Sequence, residues 1–139
     1  APEFALPDLL DPTQTVRPSD MVGQPWLLNI WGTWCPECWM EHEFLVYLAE
    51  REGVPIVGIN WRDEVAEAKA MLTRRGNPFS KIAFDPQSDA VIDWGVYGAP
   101  ETFLIDAEGV VRQKHTGALS PQIWQTKFQP YFEATENPS

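Results

Sequence analysis

The only two cysteines of the chain, Cys35 and Cys38, are the residues whose type and spacing most clearly allow chemistry. They stand three positions apart, so a disulfide between them would close a very small loop and could not join distant parts of the fold. Two cysteines are also too few for a disulfide scaffold. The spacing therefore favours a reactive pair over a structural crosslink.

A predicted strand-to-helix junction positions this pair. Residues 26–31 form a near-continuous apolar run, typical of a buried strand, and apolar residues follow at helical spacing from Pro36 onward. Cys35 then falls at the N-cap or first turn, where unpaired backbone N–H groups and the helix dipole stabilise a thiolate. We expect Cys35 to be an exposed, readily ionised nucleophile. Cys38, about one turn further on and more inward, would resolve the mixed disulfide.

Two other interpretations of the cysteine pair remain open. A CxxC is also half of a zinc site, and His42 and His115 are the only histidines that could complete it. His42 follows Cys38 on the same helix, whereas His115 falls at the far end of a predicted hairpin, so the ligand count disfavours zinc. The pair could also be two reduced cysteines in the core, since cysteine often packs as a small hydrophobic residue.

Two further features lie close to this chemistry. Glu41 comes three residues after Cys38. Pointing inward, it would be a partly buried carboxylate that accepts or relays the Cys38 proton; pointing outward, it would be an ordinary solvated residue. Residues 98–102 enter a later strand as a Gly-x-Pro turn. From the residues alone this is an ordinary turn, in which a cis bond before Pro100 is possible.

The elements that must position these residues alternate between strand and helix. Predicted strands cover residues 26–31, 54–61, 81–85, 101–106 and 110–114, and predicted helices cover 36–52, 64–75, 88–95 and 120–132. Asp63 is the predicted N-cap of the second helix, and Ser120 with Pro121 begins the last one. Alternation followed by a hairpin predicts an α/β fold with a mixed central sheet and helices on both faces.

The two ends of the chain are predicted to lie outside this alternation. Residues 1–25 carry five prolines and indicate an extended N-terminal lead-in, with one short edge pairing possible. The polar residues 134–139 are expected to fray. Since no repeat, linker or low-complexity stretch divides residues 1–139, we expect a single domain.

Composition and charge exclude several classes of function. The chain has 139 residues, 44% of them apolar, which fits one sizeable core. Ten basic and twenty acidic residues give a formal charge of −10, which repels nucleic acid and anionic lipid and favours a monomer. Aromatic residues at 12% argue against disorder. No apolar run approaches the roughly 20 residues that span a bilayer.

Four stretches of the sequence together resemble the thioredoxin superfamily. Within it they resemble the DsbE/CcmG-type (TlpA-like) thiol:disulfide oxidoreductases of bacterial cytochrome c maturation. The stretches are LLNIWGTWCPEC, VPIVGINWRD, GVYGAPETFLID and VVRQKHTGALSP, and the likeness extends from about residue 4 to residue 131. GVYGAPETFLID beside WCPEC is far more specific than a CxxC alone. The resemblance implies a thioredoxin-like domain whose redox-active Cys35–Cys38 disulfide requires no metal or organic cofactor.

The resemblance also implies roles for single residues. Cys35 matches the attacking cysteine, Cys38 the resolving one, and Glu41 the acidic residue that modulates both thiols. Pro100 matches a cis proline that lies opposite the disulfide and offers backbone pairing to a bound peptide. The substrate-binding residues implied in this way are Trp34, Pro36, Tyr97, Ala99, Pro100 and Glu101. Glu37 departs from the pattern, because a neutral residue is common there, and its carboxylate should disfavour the adjacent thiolate.

For function, the resemblance implies a periplasmic reductant of the CxxCH disulfide in apocytochrome c or of a mixed disulfide on its chaperone. A membrane thiol transporter of the CcdA or DsbD kind would supply the electrons. We expect the chain to be the soluble portion of a precursor held by an N-terminal membrane anchor. Two alternatives stay open: a TlpA/ResA-like reductase of another target, such as a copper-site assembly protein, and a non-enzymatic metal-binding chaperone.

Overall fold

The strands of the computed structural model, which describes residues 1–136, form a small hairpin and a five-stranded sheet. The hairpin pairs β1 (Leu6–Pro7) with β2 (Thr15–Val16). The strands of the sheet are β3 (Trp26–Trp31), β4 (Ile56–Trp61), β5 (Lys81–Asp85), β6 (Glu101–Ile105) and β7 (Val111–Thr116). They lie in the order β5-β4-β3-β6-β7, with β3 parallel to β4 and antiparallel to β6. The strand that leads into the cysteine pair is therefore the central one.

Alternation along β3 gives the sheet two apolar faces. All six residues of the strand are buried. Leu27 and Trp31 pack on one face, and Trp26, Leu28 and Ile30 pack on the other. A near-continuous apolar run is what a strand covered on both faces requires, so the pattern of residues 26–31 explains its central place.

Helices cover both faces of the sheet, which confirms the predicted mixed α/β fold. The helices are α1 (Pro36–Arg51), α2 (Val65–Arg75), α3 (Asp89–Asp93), α4 (Pro121–Ile123) and α5 (Gln129–Glu136), with a π-helical stretch (Trp124–Phe128) joining the last two. Helices α1 and α2 and the C-terminal helical segment pack on the Leu27 face, whereas α3 and the N-terminal segment pack on the Leu28 face. No helix within residues 1–136 combines the length and the apolar character needed to cross a membrane.

The N-terminal lead-in is tied to the outer edge of the sheet. Besides the β1–β2 pairing, Asp8 bridges Ala83 of β5, and the Leu9 N–H donates to the Ile82 C=O at 2.8 Å. The N-terminal segment therefore pairs with itself in the β1–β2 hairpin and also with the edge strand β5. The positions of the prolines do not indicate that there are two such pairings.

The bounds of most elements differ from the prediction by one or more residues, and three of these differences follow. Strand β4 begins at Ile56 because the Val54 N–H instead donates to the Leu48 C=O, 3.1 Å away at the end of α1. Strand β7 extends to Thr116. Helix α5 continues to Glu136 where we expected fraying from residue 134, because Tyr131 and Phe132 pack against the core and carry the helix on. Residues 137–139, for which fraying is also predicted, lie outside the described residues.

The predicted N-cap of α2 is wrong. Helix α2 begins at Val65 with Glu64 as its N-cap residue, and that cap makes no side-chain hydrogen bond. The Asp63 carboxylate is drawn instead to Thr33, whose N–H and hydroxyl group both donate to it. A partner thirty positions away in the chain thus competes successfully with the local cap.

Candidate active site

The Cys35–Cys38 pair lies at the N-terminus of α1, where β3 turns into the helix. The two cysteines form a disulfide, with their Cα atoms 5.3 Å apart. Cys35 is the N-cap residue, and its Sγ accepts a hydrogen bond from the Cys38 N–H at 3.2 Å. Pro36 takes the first helical position, where no N–H is needed for the helix. The pair thus has the strand-to-helix placement predicted from the sequence, at the positive end of the helix dipole.

The expectation that Cys35 is exposed is wrong for this disulfide form. Its exposed fraction is 2%, the same as that of Cys38. The reason is geometric, because the Cys35 sulfur is bonded to Cys38 and hydrogen-bonded to its N–H, which turns it toward the helix. The exposed aromatic side chains of the predicted site are Trp34, at 47%, and Tyr97, at 95%.

Glu41 points inward from α1, which decides between the two interpretations of this residue. Its Oε2 accepts from Asn29 Nδ2 and its Oε1 from the Leu119 N–H, each at 2.9 Å. Burial raises the pKa of Glu41 from 4.5 to about 7; the two hydrogen bonds oppose this shift, and the Glu37 charge adds to it. A carboxyl group that titrates near neutral pH, one turn after Cys38, can accept and return a proton at physiological pH.

Asn29 and Leu119 hold this carboxyl group and are absent from the predicted set of site residues. Asn29 is fully buried in β3, and its Nδ2 also donates to Thr102 Oγ1 at 3.1 Å. The available signal is an amide in the middle of the apolar run 26–31, because a buried polar side chain needs hydrogen-bond partners. Leu119 contributes its backbone N–H, which no side-chain pattern reveals.

The register of the sheet brings the Pro100 loop to the cysteine end of β3. Glu101 at the start of β6 lies opposite Ile30, just before β3 ends and turns toward Cys35. The Ala99–Pro100 peptide bond is cis, as the family resemblance implies. The Pro100 C=O accepts from the Gly117 N–H at 2.9 Å. The backbone N–H and C=O of Ala99 make no hydrogen bond to another backbone group within residues 1–136.

Glu101 turns its carboxylate into the protein. It is 4% exposed, its Oε1 lies 3.1 Å from Lys114 Nζ, and it accepts a hydrogen bond from Thr116 Oγ1 at 3.3 Å. The six residues predicted to bind substrate therefore divide by exposure. Those that face solvent are Trp34, Pro36 and Tyr97, and those that are half-buried or buried are Ala99, Pro100 and Glu101.

Comparison with known proteins places this site in a family. The Redoxin family matches residues 1–128. The thiol:disulfide interchange protein DsbE of Allochromatium vinosum is 50% identical over 130 residues, covering 94% of this chain and 72% of that protein. DsbE of Escherichia coli K12 is 41% identical over 133 residues, covering 95% and 71%. The chain belongs to the DsbE family.

Structural comparison agrees with membership of the DsbE family. The crystal structure of a protein assigned as thiol:disulfide interchange protein DsbE from Chlorobium tepidum superimposes with a TM-score of 0.80 at 28% identity. The superposition covers 99% of this chain and 95% of that one. The predicted thioredoxin-like fold, family and enzyme class are confirmed: the chain is a thiol–disulfide oxidoreductase, and the Cys35–Cys38 disulfide is its redox group.

The histidines of this DsbE-family chain have backbone partners. His42 Nε2 lies 2.8 Å from the Gly76 C=O, and burial lowers the pKa of this histidine. His115 Nε2 lies 3.2 Å from the Ala118 C=O. Among the side chains that the structure describes, no three from His, Cys, Asp or Glu lie together as a metal ion would need. The described residues therefore give the zinc interpretation no support.

Proposed function

We propose that this DsbE-family chain is a periplasmic reductant of disulfides in apocytochrome c, or in its thiol chaperone, during cytochrome c maturation. The observation that carries the proposal is the buried Glu41 carboxyl group, with a pKa of about 7 and one turn after Cys38. Reducing a partner requires Cys38 to lose its proton inside the protein, and Glu41 is a base suited to take it. The similarity to DsbE proteins over nearly the whole chain supports this class of partner.

In the first step, the reduced Cys35 thiolate attacks one sulfur of the partner's disulfide. A bond forms between Cys35 Sγ and that sulfur, the partner's S–S bond breaks, and its second sulfur leaves as a thiolate. The position of Cys35 at the N-cap of α1 favours this step, because the helix dipole and the free N–H groups stabilise the attacking thiolate.

In the second step, Cys38 resolves the mixed disulfide. Its thiol gives its proton to the Glu41 carboxylate, and the resulting thiolate attacks Cys35 Sγ. The Cys35–Cys38 disulfide forms and the partner's first sulfur leaves as a thiolate, so two electrons have passed to the partner. Because the pKa of Glu41 is about 7, the proton can be returned to a departing thiolate at neutral pH.

The partner's chain would bind along the cis-proline loop. The Ala99 backbone has no backbone partner within residues 1–136 and can pair with an extended peptide. Trp34 and Tyr97 offer exposed aromatic surface to the side chains that flank the partner's cysteines. Pro36 is exposed at the start of α1 and Ala99 is half-buried beside the cis proline, so both would contact the partner's chain next to its cysteines.

The oxidised pair needs a source of electrons before each new cycle. A membrane thiol transporter of the CcdA or DsbD kind would reduce it on the periplasmic side, where the chain would be tethered by an N-terminal anchor. The DsbE relatives are longer than the matched region, which covers 71–72% of their length. This difference leaves room in those relatives for such a segment.

A trapping experiment tests the proposal. Cys38→Ala should stop the reaction after the first step and accumulate a mixed disulfide at Cys35, which mass spectrometry of a periplasmic extract can identify. Trapping of apocytochrome c or its chaperone supports the proposal, whereas trapping of a copper-site assembly protein would replace it with the TlpA/ResA-like function. Cys35→Ser is the control, and turnover by this variant would overturn the assignment of the nucleophile.

A further inference from the structure

The residues just before Cys35 are held by a hydrogen-bonded cluster that the proposed mechanism does not use. Asp63, in the loop between β4 and α2, accepts from the Thr33 N–H at 2.7 Å and from Thr33 Oγ1 at 2.6 Å. It also accepts from Asn60 Nδ2 at 3.1 Å and from the Glu64 N–H at 2.8 Å. All four groups donate to the two carboxyl oxygens of Asp63, which accept every one of these hydrogen bonds.

Two tryptophans also form hydrogen bonds that fix residues 33 and 34. Trp39, on α1, donates its indole N–H to the Thr33 C=O at 2.9 Å. The Trp34 indole donates to the Trp61 C=O at 2.8 Å and meets the Trp61 ring edge-on, with centroids 5.6 Å apart. Gly32 leaves room for this arrangement, since a Cβ at that position would overlap the Trp34 indole.

This cluster holds the turn that leads into the active-site cysteine. The Cys35 N–H donates to the Gly32 C=O at 3.2 Å, so residues 32–35 form a closed turn, and Asp63 anchors that turn through Thr33. We infer that Asp63 is a positioning residue for thiol–disulfide exchange, which holds Trp34 and Cys35 in the geometry that binds and attacks a protein disulfide. The inference rests on the proposed attack by Cys35.

Asp63→Asn is the variant that tests this inference. Oδ1 accepts from the Glu64 N–H and Oδ2 from the Thr33 N–H, so either orientation of an amide places its NH₂ group against a backbone donor. The turn should loosen without the loss of any carbon atom from the core. Because misplacing a reacting group by about 1 Å can cost up to about a hundredfold in rate, we expect at least a roughly tenfold fall in kcat/KM for a CxxCH disulfide peptide.

A small disulfide and two further variants separate positioning from general loss of stability. Hydroxyethyl disulfide has no peptide chain for Trp34 to contact, so its rate constant should fall less than that of the CxxCH peptide in Asp63→Asn. Asp106→Asn is the matched control, since the Asp106 carboxylate also accepts from two backbone N–H groups, those of Glu108 and Val110, in the turn between β6 and β7. It replaces the oxygen that accepts from Arg112 Nε and should keep both rates. Thr33→Ser retains both donors to Asp63 and should retain the wild-type peptide rate.

A readout that needs no substrate comes from the indole N–H groups of Trp34 and Trp39 in the oxidised protein. Their hydrogen exchange, followed by NMR, should be faster in Asp63→Asn and unchanged in Asp106→Asn. Unchanged indole exchange together with an unchanged ratio of peptide to small-disulfide rates would overturn the inference. If wild type reduces hydroxyethyl disulfide but not the CxxCH peptide, the proposed substrate is wrong, and indole exchange still decides the role of Asp63. Should Asp63→Asn fail to fold, Thr33→Val removes one donor and is judged by the same two measurements.

Discussion

Glu41 is buried between α1 and β3, and its pKa of about 7 instead of 4.5 means that the folded protein favours the protonated carboxyl group. A group whose pKa is raised on folding contributes its full stability below the unfolded pKa and loses it as pH rises through the folded pKa. From about pH 4.5 to pH 7, ionisation of Glu41 therefore lowers the free energy of unfolding, by about 3 kcal/mol in all.

Glu41→Gln should remove this pH dependence, because the amide cannot ionise. In urea unfolding of the oxidised protein, the free energy of unfolding of wild type should fall by about 2–3 kcal/mol more between pH 5 and pH 8 than that of the variant. The lowered pKa of His42 acts in the opposite direction, costing stability as pH falls below 6.5, and it is common to both proteins. Glu43→Gln, an exposed carboxylate on the same helix, is the control and should behave as wild type. Equal losses in wild type and Glu41→Gln would contradict the prediction.

Sequence patterns identify the reacting residues of the site more readily than the residues that hold them in place. Cys35 could be placed at the helix N-terminus because strand, proline and helical periodicity are local signals. Its burial could not, because that depends on the bond to Cys38. Asn29 and Asp63 escape prediction as site residues for a related reason: their partners come from sheet register and loop packing, which juxtapose residues far apart in the chain.

At the scale of the elements, the stacked rings of Trp31 and Phe79 pack against β4 and leave no room for a side chain at Gly58. A Cβ there would lie 2.8 Å from Trp31 Nε1 and 2.9 Å from Phe79 Cδ1. The two rings stack on each other with centroids 5.3 Å apart, and both are buried, so neither can move away freely. Glycine at this position is therefore required by the packing of Trp31 from β3 and Phe79 from the segment before β5 against β4.

Gly58→Ala should lower the free energy of unfolding by about 1–3 kcal/mol, the usual cost of overpacking a core. Urea unfolding measures this directly. Gly98→Ala is the matched control, since a Cβ at Gly98 meets nothing within 4 Å, and it should stay within about 0.5 kcal/mol of wild type. Similar losses in both variants would show that backbone freedom, and not the stacked rings, accounts for the glycine.

The elements themselves are largely predictable where their signals are local. The predicted strands at residues 26–31 and 81–85 have the bounds that the structure shows, and Ser120 caps the C-terminal helix through the Ile123 N–H as expected. The π-helical stretch inside that helix has no signal in the apolar periodicity. Packing of Trp124 and Phe128 against the core accompanies it, and such tertiary contacts override local pattern.

At the scale of the whole molecule, acidic residues outnumber basic ones by twenty to ten, which gives a formal charge of −10. A field of this sign speeds the encounter with cationic partners and slows the encounter with anionic ones. Salt weakens the effect, because interactions between exposed charges are screened over about 8 Å at physiological ionic strength. Charge at this scale therefore acts on the encounter with a partner before any contact at the active site is made.

Two disulfide peptides with the same CxxCH core, one flanked by lysines and one by glutamates, should reveal this effect of charge. At low salt, kcat/KM should be higher for the lysine peptide, by roughly tenfold, and the ratio should approach one in 1 M salt. Neutral hydroxyethyl disulfide is the control, and its rate should vary little over the same range. If the glutamate peptide reacts as fast at low salt, net charge plays no part in partner choice. Selection would then depend only on the contacts that the partner makes beside the cysteine pair.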